Sequence, residues 1–396
     1  MATLGTVMAA RPSWLDRLHA AYTSAIADPR FRRFAARFPL TRPIARRRAQ
    51  GVFDLVSGFV YSQVLLACVR LDLLSLLAEG PKTVETLAAR TGLPVEGMQR
   101  LVDAAIALKL AARARDGSIR LGSVGAPIAG DVGIAALVEH HALFYADLRD
   151  PVALLRDGAR DDGELARYWP YCANRSGEGY APERVAAYSR LMATSQTLIA
   201  SEVLDAFPMR RHRRLLDVGG GEGAFLAAAL NRWPQLHGFL FDLPPVAERA
   251  RGRLAAQGLA SRTVAVGGSF LRDPLPVGAD LISLIRVLHD HDDDSVRTVL
   301  AAVRAALPAD GQVLVAEPMS GTPGAETVGD AYFGFYLLAM GRGRPRSAAR
   351  IGELLVEAGF ARPRLIPTAM PMQTSVVVAD VDAGRPAVKA PLVRKT

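Results

Sequence analysis

The feature that most constrains this chain is Leu215-Leu216-Asp217-Val218 running directly into Gly219-Gly220-Gly221-Glu222-Gly223. A short apolar run closed by glycines and followed by Ala224-Phe225-Leu226 reads as a strand, a tight turn and a helix. Glycine permits positive φ and lets backbone approach a ligand closely. The helix after Gly223 begins with free N–H groups aimed at whatever binds there. Around this unit the sequence predicts strands at Arg214–Val218, Gly238–Asp242, Thr263–Gly267, Leu281–Ile285, Gln312–Glu317, Pro363–Pro367 and Ser375–Ala379. Helices fall between the first five, which makes a βαβ array with a parallel sheet. The last two strands have no helix between them and should pair as a hairpin. A final strand running antiparallel departs from an all-parallel dinucleotide fold.

The segment before this array reads as helical. Phe53–Leu77 is apolar, and Thr83 is the N-cap of a following helix. Thr83–Arg90, the turn Thr91-Gly92-Leu93-Pro94 and Val95–Leu108 form a helix-turn-helix. A β-hairpin turning at Asp116-Gly117 follows, completing a winged helix. Residues 131–200 read as further helices, Val132–Leu155 and Pro182–Phe207, with a break at Tyr168–Tyr171.

Charge is unevenly placed. The net charge is +9, yet residues 1–50 carry ten Arg and two Asp, and residues 383–396 carry Arg385, Lys389, Arg394 and Lys395. The body between them is net negative, at −3. Phe31, Phe34 and Phe38 recur at helical spacing among arginines, giving a short basic amphipathic helix suited to anionic lipid or to a partner subunit. The helix Pro94–Leu108 carries only Arg100, with Lys109 just past its end, against Glu96 and Asp103. Phosphate contacts need a basic face, so no nucleic-acid partner is expected. The apolar stretches, such as Gly58–Val69, read as too short and too interrupted to span a bilayer. No signal peptide is read at the N-terminus, and Cys68 and Cys172 fit no disulfide framework or zinc spacing. A cytoplasmic protein is expected, with peripheral contact to an intracytoplasmic membrane through the basic end.

The glycine loop also fits G-x-G-x-x-A through Gly219, Gly221 and Ala224, so a dinucleotide must be weighed. Asp217 lies two residues before the first glycine, where an acid can accept from an ammonium. Asp242 ends the second strand, where a carboxylate accepts from two ribose hydroxyls. With no second nucleotide-binding half, these acids favour S-adenosylmethionine.

Past the fourth strand comes Arg286-Val287-Leu288-His289-Asp290-His291-Asp292-Asp293-Asp294. Reacting groups of open α/β sheets sit beyond the carboxyl ends of the strands. His289 is placed there to take a hydroxyl proton near neutral pH. Glu317, ending the next strand, is expected to orient it through the other ring nitrogen, with Asp290 as a second candidate. The same His/Asp alternation can ligate a divalent metal. Asp292–Asp294 also suit the start of a helix, where the dipole favours negative charge. No metal is assigned.

Leu71-Asp72-Leu73-Leu74, Leu87-Ala88-Ala89-Arg90-Thr91-Gly92-Leu93, Asp217–Gly223, Phe241-Asp242-Leu243-Pro244, Val287-Leu288-His289-Asp290 and Glu357-Ala358-Gly359-Phe360 together resemble the O-methyltransferase family that includes the caffeic acid and hydroxyindole enzymes. The resemblance covers residues 50–380. It implies a Rossmann-like, seven-stranded methyltransferase domain with an N-terminal helical winged-helix dimerisation domain, acting as a homodimer. It implies His289 as general base with Glu317 and Asp290. Asp217, Gly219, Gly221, Gly223, Asp242, Leu243, Ser269, Phe270 and Arg286 would contact the cofactor. Met192, Phe335, Tyr336, Met340 and His291 would line the pocket of a hydrophobic small-molecule acceptor, although ordinary core packing explains such apolar residues equally well. Ser269 stands where the family has an Asp, Pro345 where plant members carry a second Glu, and His291 where a Trp is common. The domains implied are 1–45, a basic extension; 46–130, winged helix; 131–210, linker and pocket wall; 211–382, catalytic; and 383–396, a basic tail. Within the family, Asp330–Arg346 looks like the bacterial carotenoid enzymes, which methylate the tertiary hydroxyl of hydroxyneurosporene or demethylspheroidene.

Overall fold

The computed structural model describes residues 13–159, 163–168, 196 and 199–385. They divide into two compact units, up to Pro127 and from Ile128 onward.

In the first unit, Trp14–Ala27 and Pro29–Arg37 are helices joined at Asp28, whose carboxylate caps the second. Pro29 at the first helical position costs no hydrogen bond there. A 29-residue helix, Arg42–Arg70, follows and runs unbroken through Gly51 and Gly58. By length and composition alone this helix is long and apolar enough to cross a membrane, contrary to the sequence expectation. The polar residues that interrupted the apolar run are small or uncharged, and a continuous helix spans them. Leu73–Ala78, Val84–Thr91 and Val95–Ala107 complete the helical part. Thr83 caps as expected, accepting from the Thr86 amide at 3.2 Å. Strands β1 (Ala111–Arg113) and β2 (Ile119–Leu121) form the wing, with Gly117 at positive φ in its turn.

The second unit opens with Val132–Asp147 and Pro151–Asp157, two helices where one was expected, separated because Asp150 and Pro151 start a new helix. Its seven-stranded sheet is built from β3 (Arg214–Val218), β4 (His237–Asp242), β5 (Thr263–Gly267), β6 (Leu281–Ile285), β7 (Gln312–Glu317), β8 (Phe360–Ile366) and β9 (Ser375–Val381). The order is β5-β4-β3-β6-β7-β9-β8, and β9 alone runs against the rest. β8 starts three residues earlier than predicted. A register irregularity between Ala361 and Arg364, with Arg362 at φ 51°, lets the strand pass Pro363 and keep pairing with β9. β6 and β7 are buried along their whole length. Helices cover both faces of the sheet, with Phe225, Leu226 and Leu254 in one core and Val299, Leu300 and Leu354 in the other. Strand order reverses between β3 and β6, so the carboxyl ends there form the natural crevice.

Candidate active site

Two loops meet at that crevice. The first follows β3. Gly219, Gly221 and Gly223 are all left-handed, at φ 68°, 57° and 80°. At Gly219 a side chain would also strike Val287, which comes from the loop after β6. Gly223 leads into the helix Ala224–Arg232. Asp242 holds the loop from β4: its carboxylate accepts from the Gly221 amide at 2.8 Å and the Leu243 amide at 2.7 Å. Burial pushes its pKa up to about 6, against the pull of those two amides.

Asp217 lies beneath the loop, 1% exposed. One oxygen accepts from the Ser283 hydroxyl at 2.6 Å; the other has no partner among the described residues. Burial pushes its pKa up to about 7, Ser283 opposing. A buried carboxylate with a spare oxygen, under a loop whose glycines admit backbone but not side chains, fits a cationic ligand carrying a ribose.

Ser269 and Phe270 follow β5. The Ser269 amide donates to Asp273 at 2.7 Å, so a carboxylate that the sequence reading missed stands beside the position where Ser replaces Asp. Phe270 packs beside Gly219 and edge-on to His291, with ring centroids 5.4 Å apart. Arg286, directly after β6, takes φ 57°, a strained conformation for a side chain of its size. Its amide is fixed by the Ala316 carbonyl of β7.

The second loop carries His289, 3% exposed, in the single turn Leu288–Asp290. Its Nε2 is 3.0 Å from Asp290, and its Nδ1 is 3.9 Å from Glu317. Glu317 instead accepts from the His289 backbone amide at 3.1 Å. The expected ring hydrogen bond to Glu317 is therefore not formed; the turn presents its free amide to the end of β7, and that amide takes the carboxylate. Glu317 is fully buried, and burial raises its pKa despite the nearby His289 and Arg346. Burial also works on Asp290, but the adjoining His289 holds its carboxyl below the usual range.

Among the described residues, the ring of Phe333 lies beside His289, with centroids 5.8 Å apart, a residue the sequence reading did not single out. It closes a π-helical turn, Thr327–Tyr332, and begins the helix Phe333–Met340. Such turns recur at functional sites because they swing side chains out of helical register. Tyr336 is tied to His140 at 2.7 Å, and Tyr332 to His141 at 2.8 Å. Tyr336 and Met340 are buried in an apolar cluster with Phe144, Leu154 and Leu165, and Phe335 packs at its margin. Met192 lies outside the described residues. Asp292 caps the helix Asp293–Ala306 through the Ser295 amide, while Asp293 binds Arg344, Arg346 and Arg350. Burial of His291 lowers its pKa, against the pull of the neighbouring Asp290. Among the described residues no group of three or more His, Cys, Asp or Glu side chains is arranged to hold a metal ion.

A sheet of this order, with a glycine loop and a buried histidine at its switch point, is the framework of a methyl-transferring enzyme. Comparison with known proteins agrees. Residues 147–361 match the O-methyltransferase domain, and residues 53–123 match the O-methyltransferase dimerisation domain. The demethylspheroidene O-methyltransferase of Cereibacter sphaeroides is 50% identical over 350 residues, covering 88% of this chain and 92% of that one. The enzyme of the same name from Rhodobacter capsulatus is 40% identical, covering 91% and 89%. Among solved structures, the S-adenosylhomocysteine-bound methyltransferase CalO1 of calicheamicin biosynthesis superposes with a TM-score of 0.71 at 27% identity, covering 84% and 98%. The chain belongs to the O-methyltransferase family.

Proposed function

We propose that this enzyme transfers a methyl group from S-adenosylmethionine to the tertiary hydroxyl of a hydroxylated carotenoid of the hydroxyneurosporene or demethylspheroidene type, with His289 as general base. The observation that carries the acceptor class is the 50% identity to a demethylspheroidene O-methyltransferase across nearly the whole of both chains. The cofactor supplies an electrophilic methyl on a sulfonium. Asp217, the loop Gly219–Gly223, Asp242 and Leu243 are the residues that would hold it, with Ser269, Phe270 and Arg286 around it. His289 takes the hydroxyl proton as the oxygen–methyl bond forms and the methyl–sulfur bond breaks. Asp290, 3.0 Å from Nε2, orients the imidazole, Glu317 fixes the His289 backbone, and both carboxylates lie close enough to stabilise the ring once it is protonated. A tertiary alcohol is far less acidic than a phenol, so a dry site around the base matters more. His289 at 3% exposure, with the Phe333 ring beside it, supports that reading. Met192, Phe335, Tyr336, Met340 and His291 are the proposed acceptor wall.

The test is transfer of radiolabelled methyl to extracted hydroxycarotenoids and, in parallel, to simple phenols. Label in the carotenoid fraction is expected. Label in the phenol alone would overturn the acceptor assignment while leaving the transferase intact.

The active unit is proposed to be a homodimer. Val52, Phe53, Val56, Phe59 and Val60 are exposed on the helix Arg42–Arg70, where the dimerisation match begins. Residues 14–40 precede that match and carry a second exposed apolar set, including Trp14, Leu18, Tyr22, Phe31 and Phe34, interleaved with arginines. This end is proposed to rest on anionic membrane, where an apolar acceptor resides. Deleting residues 1–45 is then expected to reduce sedimentation with anionic liposomes severalfold at low salt. Unchanged partition would remove the membrane role.

A further inference from the structure

Arg346 is 2% exposed, and among the described residues its side chain hydrogen-bonds to Leu288, His291 and Asp293, away from the glycine loop. A buried guanidinium is costly unless its donors are matched. Here they are matched on the loop that carries His289. Nη1 donates to the Leu288 carbonyl at 2.7 Å and Nη2 to the His291 carbonyl at 2.7 Å. Nε and Nη2 both reach one oxygen of Asp293, at 2.9 and 2.8 Å. Although burial opposes it, the bonds from Arg344, Arg346 and Arg350 hold the Asp293 carboxyl well below the usual range. The clamp therefore grips the backbone on both sides of His289.

The main chain around Arg346 ties the same region twice more. The Arg344 amide donates to the His289 carbonyl at 2.9 Å. Gly343, at φ 77°, passes so close to that carbonyl that any side chain would collide with it. The Arg346 carbonyl accepts from the Ser320 amide at 3.0 Å, three residues beyond Glu317, and Ser320 and Ser347 form a bridge. One residue thus grips the loop after β6 with its side chain and the segment after β7 with its backbone. Those are the two segments that bring His289 and Glu317 together across 28 residues of sequence.

We infer that Arg346 is a positioning residue that sets the His289–Glu317 geometry, a role resting on the reading of His289 as base. It acts through those two residues and not on cofactor or acceptor. Lysine, with a single cationic nitrogen, cannot span both carbonyls and Asp293 at once. Arg346→Lys and Arg346→Met are expected to lower kcat by about 10²-fold, within the range a general base supplies. Cofactor Kd, measured by calorimetry, should stay within about threefold, since the loop Gly219–Gly223 is held by Asp242. The decisive measurement is the double-variant cycle with His289→Ala. If Arg346 works through His289, Arg346→Lys costs almost nothing further once His289 is gone. An equal further loss in that background, or a parallel loss of cofactor affinity, would overturn the inference. Wild-type turnover in His289→Ala alone would instead overturn the base assignment. Should Arg346→Met fail to fold, leaving Asp293 and two carbonyls unmatched, Arg346→Lys decides the matter by the same measurements.

Discussion

His289→Ala is expected to lower turnover by about 10³- to 10⁴-fold while leaving S-adenosylmethionine affinity within about twofold. A positioned base contributes about 10²–10⁴-fold. A tertiary hydroxyl places the enzyme at the upper end, because water at neutral pH removes its proton poorly. Cofactor affinity should survive because, among the described residues, the partners of His289 lie off the glycine loop. They are Asp290, Glu317, the Arg344 amide and the Phe333 ring. Single-turnover kinetics with a hydroxycarotenoid, alongside calorimetric cofactor binding, separate the two quantities. Turnover near wild type would end the general-base role. Loss of cofactor binding in step with turnover would show that the alanine variant disturbs the loops rather than the chemistry. Glu317→Gln is a milder change, since an amide oxygen can still accept from the His289 backbone N–H.

The parts of the fold that depend on near neighbours in sequence were legible there. The strands β3, β5, β6 and β7 begin and end where apolar runs meet turn residues, and the structure keeps those bounds. Thr83 and Asp292 were readable as helix starts because capping is a short-range hydrogen bond. What failed depends on distant partners. Phe360 joins β8 only because β9 offers a partner past the irregularity at Arg362. Phe333 comes beside His289 just after a π-helical turn, and no periodicity announces such a turn. Glu317 was correctly placed next to His289, yet which atom it would meet depended on the turn Leu288–Asp290. Asp330–Arg346 stood in the sequence as a subfamily signature. Its physical content includes a strap fastened to the His289 carbonyl, which appears only once the chain between His289 and Arg344 has folded back.

The two carboxylates proposed to hold the cofactor give the second large effect. Asp242→Ala is expected to weaken S-adenosylmethionine binding by about 10²-fold or more, from losing charged acceptors worth about 1.5–3 kcal/mol per hydrogen bond. The same change strips the Gly221 and Leu243 amides of their acceptor, so the loop loosens as well. Binding should also depend on pH in the wild type. Burial pushes Asp217 up to about 7 and Asp242 up to about 6, so both are partly protonated in mildly acidic solution. A cationic cofactor favours the ionised forms. Affinity should therefore fall as pH drops below 7, by about thirty-fold between pH 8 and 5.5 from Asp217 alone. Stability of the ligand-free protein moves the opposite way. With folded values above those of the unfolded chain, the native state binds the extra protons between about pH 4 and 7, so this contribution to stability shrinks as pH rises through that window. Thermal melts should show a cofactor-induced rise that is small at pH 5.5 and large at pH 8. Asp217→Asn removes one titrating group, so its affinity at pH 8 should fall well below that of the wild type, with a flatter pH profile that keeps only the Asp242 step. A wild-type profile in that variant would transfer the pH dependence to Asp242 and release Asp217 from any charge contact with the cofactor, leaving it as the support on which Ser283 and the glycine loop rest.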